Sequence, residues 1–194
     1  MEAATRVQIE QFVPAGARIL DVGVGMSWLS EPLDQYERHG IDITLDFLEK
    51  ARAKGINAIY SRIEGMPYVD ATFDAVVTTD VLEHVFDLSN CTRQILRVLK
   101  PGGVLIIRVP LKEDLDVYLR EDLPYEFVHM RSFDAASLRL HFSKYLAWRM
   151  WPIRRSHTRA RLPAHQKGFL DRANPAYATL RRVNWLTVGV HSGF

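Results

Sequence analysis

Two carboxylates and a pair of glycines have the types and the spacing that suit binding of a nucleotide-like ligand: Asp21, Gly23, Gly25 and Asp42. The apolar run that contains Asp21 leads into the glycines, and a second apolar run ends in Asp42 about 20 residues later. Glycines let a backbone approach a ligand without interference from a Cβ atom. The spacing therefore predicts a ribose-reading acid beside a turn that cradles the ligand.

Short strands that alternate with helices must position these residues. Helical patterns occur from Asp46 to Gly55 and over 88–99, where the Pro101-Gly102-Gly103 turn ends the second helix. Alternating strand and helix predicts a parallel sheet with helices on both faces. The predicted strands are 18–22, 39–43, 57–61, 73–78, 103–109, 145–151 and 184–190.

Composition predicts a single globular domain over residues 1–194 and a cytoplasmic location. Hydrophobic residues make up 47% of the chain and charged residues 25%, which is ordinary globular usage. The N-terminal residues lack the apolar core of a secretory signal, and no apolar run is long enough to span a membrane. The single cysteine, Cys91, has no partner for an internal disulfide, and its setting in a helical pattern predicts a packed rather than reactive thiol.

Four segments of the sequence carry a resemblance to a known family: ILDVGVG, GIDIT, EGMPYVDATFDAVVTTDVLEHV and LKPGGVLIIRVP. In order and spacing they resemble the class I S-adenosylmethionine-dependent methyltransferases over residues 15–150. The resemblance implies an α/β fold with three layers and a doubly wound, mostly parallel sheet of seven strands whose last strand is antiparallel. It also implies S-adenosyl-L-methionine as the cofactor. NAD-binding folds share the glycine turn but neither the PGG turn nor the DVLEHV segment.

The resemblance assigns cofactor contacts to seven positions. Asp21 would hold the methionine amino group, and Asp42 would accept both ribose hydroxyls. Ile43 would support adenine, and the backbone of Thr79 would lie near the methionine part. The other implied contacts are Gly23, Gly25 and the backbone of Ile63.

Two departures from the family pattern keep an alternative open. The usual third glycine is Ser27, and Arg62 stands where many relatives carry an acid that accepts from the adenine amino group. An S-adenosylmethionine-binding regulatory module with weakened catalysis is therefore the alternative to an active enzyme.

Candidate catalytic and acceptor-binding residues follow the fourth and fifth predicted strands. His84 and Asp80 lie at the edge next to the methyl donor, where imidazole suits proton transfer near neutral pH. By resemblance, Tyr125, His129 and Arg131 would cover the substrate, with His129 also a catalytic candidate. The alternatives are loop-fixing for His84, capping for Asp80, and packing or surface roles for the others. No metal-ligand grouping is expected, because the histidines are scattered along the sequence.

Positive charge is concentrated in residues 144–182, which hold ten Lys or Arg residues against one acid, Asp171. A basic insert is predicted at about 154–183, between the last two strands. Peripheral contact with an anionic membrane, contact with nucleic acid, and a solvated lid or dimer surface are the three interpretations, of which nucleic acid is the least favoured. The chain as a whole is predicted to methylate a small-molecule acceptor, with a lipid-like molecule or a glycan as candidates.

Overall fold

The computed structural model describes residues 2–25, 33–119, 128–143, 145, 149–150, 154–159 and 182–191. The helices in these residues are α1 (Glu2–Phe12), α2 (Leu45–Ala53), α3 (Leu88–Val98) and α4 (Ala135–Ser143). The strands are β1 (Arg18–Val22), β2 (Glu37–Asp42), β3 (Asn57–Tyr60), β4 (Phe73–Thr79), β5 (Leu99–Leu111), β6 (Arg149–Met150), β7 (Arg154–Arg159) and β8 (Arg182–His191).

The strands form one sheet in the order β3-β2-β1-β4-β5-β8-β6, with β7 also paired to β8. Strands β1 to β5 are parallel to one another, and β8 runs antiparallel to β5. The predicted α/β fold with a mostly parallel sheet and an antiparallel last strand is confirmed. The order of the strands in the sheet changes direction between β1 and β4. The carboxyl ends of these two strands therefore border a crevice of the kind in which α/β proteins bind ligands.

Strand β7 lies in the stretch that was predicted to be an insert. Met150 pairs with Val190 and Arg154 pairs with Thr187, so β7 continues the line of β6 along β8. The sheet thus has eight described strands rather than seven, and its pairing extends beyond the predicted insert boundary at about 154. Sequence patterning missed β7 because its residues, RRSHTR, are polar throughout, as edge strands often are. The rest of the predicted insert, 160–181, lies outside the described residues.

Helices cover both faces of the sheet, because successive strand residues point to opposite sides. On one face, the buried side chains of α1, β1, β4 and β5 include Ile9, Ile19, Val77, Val104 and Ile106. On the other face, residues of α3 and α4 pack against the alternate positions of the same strands: Cys91, Ile95, Leu138 and Phe142 against Leu20, Val76 and Leu105.

Local residues define the starts of two helices. Asp134 accepts the backbone N–H of Ser137 at 2.7 Å and caps α4. Helix α2 begins at Leu45, one residue before the predicted start, so that its N-cap is Thr44 and Asp46 lies in the first turn. Its charge there still favours the positive end of the helix. Across the described residues, every helix is too short or too polar to cross a membrane.

Candidate functional site

Four polar residues lie at the carboxyl ends of four adjacent strands: Asp21 on β1, Asp42 on β2, Thr79 on β4 and Arg108 on β5. Asp21 is in register with Gly40 and Val77, and Val77 is in register with Ile106. Asp42, Thr79 and Arg108 each follow one of these partners by two residues, and residues two apart on a strand share a face. The four side chains therefore belong to one face and one edge of the sheet.

The bend after β1 has a backbone that requires glycine. Gly23 has a φ of 80°, and a Cβ atom at this position would collide with the side chain of Val81, which follows β4. Its N–H donates to the carbonyl of Ile41 at 2.9 Å. Gly25 has a φ of 47°, and the nearest described atom to a Cβ at this position would be the carbonyl oxygen of Gly23, at 3.9 Å. The bend is therefore pressed against β2 and the β4 loop, and no side chain of the described residues crowds it at Gly25.

Asp42 joins this bend to the second strand. Its Oδ2 accepts the N–H of Gly25 at 2.9 Å, and its Oδ1 accepts the N–H of Thr44 at 2.8 Å. Each carboxylate oxygen can accept a second hydrogen bond, so capacity remains for two hydroxyl donors. The next side chain, Ile43, is 58% exposed and offers an apolar surface beside the carboxylate. This pairing of groups suits a ribose and an adjoining aromatic base.

Asp21 carries an unsatisfied acceptor. Its Oδ1 is buried and has no hydrogen-bond partner in the described part of the chain. Burial, with a smaller contribution from the Asp42 charge, raises the pKa of Asp21 to about 8, and Arg108 opposes this shift. A positively charged group is the partner that such a carboxyl lacks.

The other predicted cofactor positions are less distinctive. Thr79 is partly exposed at the end of β4, and the Ile63 side chain is buried in the core, which leaves only its backbone for a ligand. The Arg62 side chain is 67% exposed and lies 3.6 Å from Glu64. Ser27 falls outside the described residues.

Asp80 pairs with a buried arginine that the sequence analysis did not select. Asp80 has a φ of 59° and forms an ion pair with Arg108, which is only 8% exposed. Its N–H also donates to the Arg108 carbonyl at 3.0 Å. Burial raises the pKa of Asp80, and the guanidinium opposes that shift. An arginine inside the apolar run VLIIRVP is the signal that would have identified this pair.

Two of the predicted residues, His84 and His129, meet although they are 45 positions apart. Their ring centroids are 4.5 Å apart and the rings are nearly perpendicular. Nδ1 of His84 lies 3.1 Å from the carbonyl of Val128, and Nδ1 of His129 is hydrogen-bonded to the carboxylate of Glu113. Burial, reinforced by the charge of His129, lowers the pKa of His84. The structure thus places a neutral imidazole at this edge.

Glu83 is the most unusual residue of the site. Its side chain is fully buried, and neither carboxylate oxygen has a hydrogen-bond partner among the residues described. Burial, then the nearby charge of Asp80, raises the pKa of Glu83 well above its ordinary value. Glu83, His84 and His129 each present a ligand atom, and these atoms lie within 4.8 Å of one another. Spacing along the chain did not predict this grouping, because His129 is 45 positions away from His84.

Arg131, which the resemblance assigned to the cover over the substrate, bonds to backbone carbonyls in the structure. Its guanidinium donates to the backbone carbonyls of Leu82 and Val85, and to that of Phe86 at 3.1 Å. These bonds tie the segment after β5 to the loop after β4, so the contacts shown are structural. Tyr125, the other predicted covering residue, lies outside the described part of the chain.

Comparisons with known proteins agree on the type of domain. A family described as "Methyltransferase domain" matches residues 20–107. A probable S-adenosylmethionine-dependent methyltransferase from Mycolicibacterium smegmatis is 28% identical over 131 residues, covering 64% of this chain and 49% of that protein. The ubiquinone biosynthesis O-methyltransferase of Xanthomonas oryzae pv. oryzae is 33% identical over 136 residues, covering 61% of this chain and 57% of that enzyme.

The fold is also similar to solved structures. A crystal structure of a putative methyltransferase from Bacillus halodurans superposes with a TM-score of 0.73 at 17% identity, covering 98% of both chains. At this identity the similarity concerns the fold alone. The chain spans about half the length of the curated relatives it matches.

Proposed function

The chain belongs to the class I S-adenosylmethionine-dependent methyltransferases, and from this premise we propose that it methylates a hydroxyl oxygen of a small acceptor with an apolar body. The observation that carries the proposal is the meeting of Asp21, Asp42 and the glycine bend at one edge of the sheet. The relatives named above carry enzyme names, which favours an enzyme over a regulatory module.

The residues at this edge fit the cofactor. Asp21 offers an unpaired buried oxygen to the ammonium group of the methionine part. Asp42 retains acceptor capacity for both ribose hydroxyls, and the exposed face of Ile43 suits adenine. The glycine at position 25 keeps the bend free of a Cβ atom beside the ligand.

The protein's task in methyl transfer is mainly one of alignment. The bound cofactor supplies a methyl group that is already activated by its positive sulfur. The chain must hold the acceptor oxygen in line with that carbon, exclude water, and provide for the proton that leaves the hydroxyl. Asp80, His84 and His129 remain the candidates for this last role, because all three lie just beyond β4 or against that segment.

The nature of the acceptor is inferred from the surface around the histidines. Phe86, Val128 and Met130 are exposed apolar side chains on the segments that carry Glu83, His84 and His129. Apolar side chains on both segments favour an acceptor that is largely apolar, such as a phenol or a quinol. The match to a ubiquinone biosynthesis O-methyltransferase supports transfer to oxygen on an acceptor of this type.

Calorimetric titration with S-adenosylmethionine and with S-adenosylhomocysteine tests the proposal, followed by turnover with a panel of catechols and quinols. Saturable binding of both and methyl ether formation are expected. A silent titration would remove the enzyme interpretation. Binding with no methylation of any hydroxyl compound would instead favour the regulatory module.

Contact with an anionic membrane through residues 144–182 is a separate part of the proposal, supported by the charge of that segment. Sedimentation with vesicles of anionic or of neutral lipid is the test. Equal sedimentation with both would count against the membrane contact.

A further inference from the structure

We propose that Glu83, His84 and His129 form a binding site for a divalent transition-metal ion. One carboxylate oxygen and one nitrogen from each ring lie within 4.8 Å of one another. Ligand atoms bound to a single ion at about 2.0–2.2 Å lie about 3–4 Å apart. A small adjustment of side chains therefore brings the three groups to bonding distance.

The Glu83 carboxylate is the strongest argument for a cation. The side chain is fully buried, and both of its oxygens lack a hydrogen-bond partner among the described residues. A buried carboxylate is costly unless it is paired with a cation or protonated. The neighbouring imidazoles of His84 and His129 each offer one nitrogen, and a metal ion would bind both nitrogens together with the carboxylate.

Each of the two imidazoles is held by a hydrogen bond at Nδ1. His84 is bonded through Nδ1 to the Val128 carbonyl, and His129 through Nδ1 to the Glu113 carboxylate. A ring that donates its Nδ1–H keeps a lone pair on Nε2, and metal-binding histidines commonly donate their second nitrogen to a carbonyl or carboxylate in this way. Glu113 is then a positioning residue, because it holds the His129 ring without being a ligand.

The ligand set indicates the kind of ion. Two imidazoles and one carboxylate suit Zn²⁺, Mn²⁺, Fe²⁺ or Co²⁺, whereas Mg²⁺ and Ca²⁺ prefer oxygen ligands. Three protein ligands leave at least one position of the ion open. The exposed apolar residues Phe86 and Val128 lie on the same two segments.

The role of the ion rests on the proposed function, although its binding does not. An acceptor hydroxyl at the open position would become acidic and lose its proton to water. Its oxygen would then attack the methyl carbon, and the new C–O bond would form as the C–S bond breaks, which leaves a methyl ether and S-adenosylhomocysteine. In this scheme the ion, rather than an imidazole base, activates the acceptor.

Calorimetric titration of chelator-treated full-length chain with Zn²⁺, Mn²⁺ and Mg²⁺ tests the binding site. We expect one equivalent of Zn²⁺ or Mn²⁺ to bind and Mg²⁺ to bind much more weakly. Glu83→Gln and His129→Ala should each lower the affinity by about 100-fold or more, and Glu113→Gln by about 10–100-fold. His39→Gln is the matched control, because His39 lies on β2, pairs with Glu37, and should leave the affinity unchanged.

Circular dichroism establishes whether each variant is folded. If Glu83→Gln does not fold, His129→Ala still tests the site, because His129 is only partly buried and its replacement is better tolerated. A dissociation constant above about 100 μM for both Zn²⁺ and Mn²⁺ would overturn the site. So would equal affinity in the wild type and the folded ligand variants. Metal binding without cofactor binding would support the site and reject the proposed function. Cofactor-dependent turnover that chelation leaves unchanged would support the proposed function and reject the role of the ion.

Discussion

The backbone N–H of Gly25 donates to Oδ2 of Asp42 at 2.9 Å, and this bond connects the bend after β1 to the end of β2. The second oxygen of Asp42 holds the N–H of Thr44 at the start of α2. One carboxylate thus links the bend after β1 to the start of α2, in addition to the bond from the Gly23 N–H to the Ile41 carbonyl. Ligand binding and loop geometry are therefore coupled at this residue.

Replacing Asp42 with alanine should weaken S-adenosylmethionine binding by about 2 kcal/mol, the scale of hydrogen bonds to a charged group. The loss combines the ribose contacts with a looser bend. Calorimetry on the variant provides the measurement. Asp46→Ala is the matched control, since Asp46 is an exposed acid on the neighbouring helix and should leave the affinity unchanged. An unaltered affinity in Asp42→Ala would mean that the ribose binds elsewhere.

The ligand-free chain should lose stability through Asp21 as the pH rises. The pKa of Asp21 is about 8 in the folded chain and 3.8 ordinarily. Between these values the folded state keeps a proton that the unfolded state has released, so the free energy of unfolding falls by about 1.4 kcal/mol per pH unit from this group.

Urea unfolding of the wild type and of Asp21→Asn, at pH 5 and at pH 8, measures this contribution. The amide cannot ionise, so the variant should gain stability relative to the wild type by a few kcal/mol at pH 8 compared with pH 5. Parallel pH dependence in the two proteins would contradict the raised pKa. At pH 8, where the wild-type carboxyl is about half ionised, the variant should also bind S-adenosylmethionine more weakly, because the charge for the ammonium group is gone.

The thiol of Cys91 should be unreactive in the folded chain. Its side chain is fully buried on α3, and burial raises its pKa to about 12. The thiolate that reacts with a disulfide reagent is therefore scarce at pH 8. Titration with Ellman's reagent should detect one thiol in guanidinium and none within minutes in buffer. Rapid reaction in buffer would show that α3 opens readily.

The sequence predicted the parts of the site that depend on local order. Asp21 and Asp42 follow neighbouring strands, and parallel strands bring their carboxyl ends to the same edge, so their meeting follows from the strand order. Glu83, His84 and His129 could not be grouped in this way. His129 reaches the other two through the loop between β5 and α4, and this placement depends on tertiary hydrogen bonds such as that from Met130 N–H to the Glu83 carbonyl at 2.8 Å.

Electrostatic partners were also beyond local patterning. Arg108 occupies a position at which the pattern of β5 predicts an apolar side chain. An arginine is accommodated there because it forms an ion pair with Asp80, which follows the adjacent strand β4. Arg131 has the charge expected of a substrate-binding residue, but three backbone carbonyls accept its hydrogens. Sequence patterning did not select Arg108 and selected Arg131 only for its charge and position, because the partner of each is set by the packing of two loops.

Replacing Gly23 with alanine should disrupt both the bend and cofactor binding. A left-handed backbone with φ of 80° disfavours any residue with a Cβ, and the added methyl would also collide with Val81. We expect a loss of about 1–3 kcal/mol in the free energy of unfolding and strongly reduced affinity for S-adenosylmethionine. Gly65→Ala is the control, since a Cβ at Gly65 meets no atom of the described residues within 4 Å. If Gly23→Ala retained the stability and affinity of that control, the close approach of the β4 loop to the bend would be refuted, and with it the geometry on which the cofactor site depends.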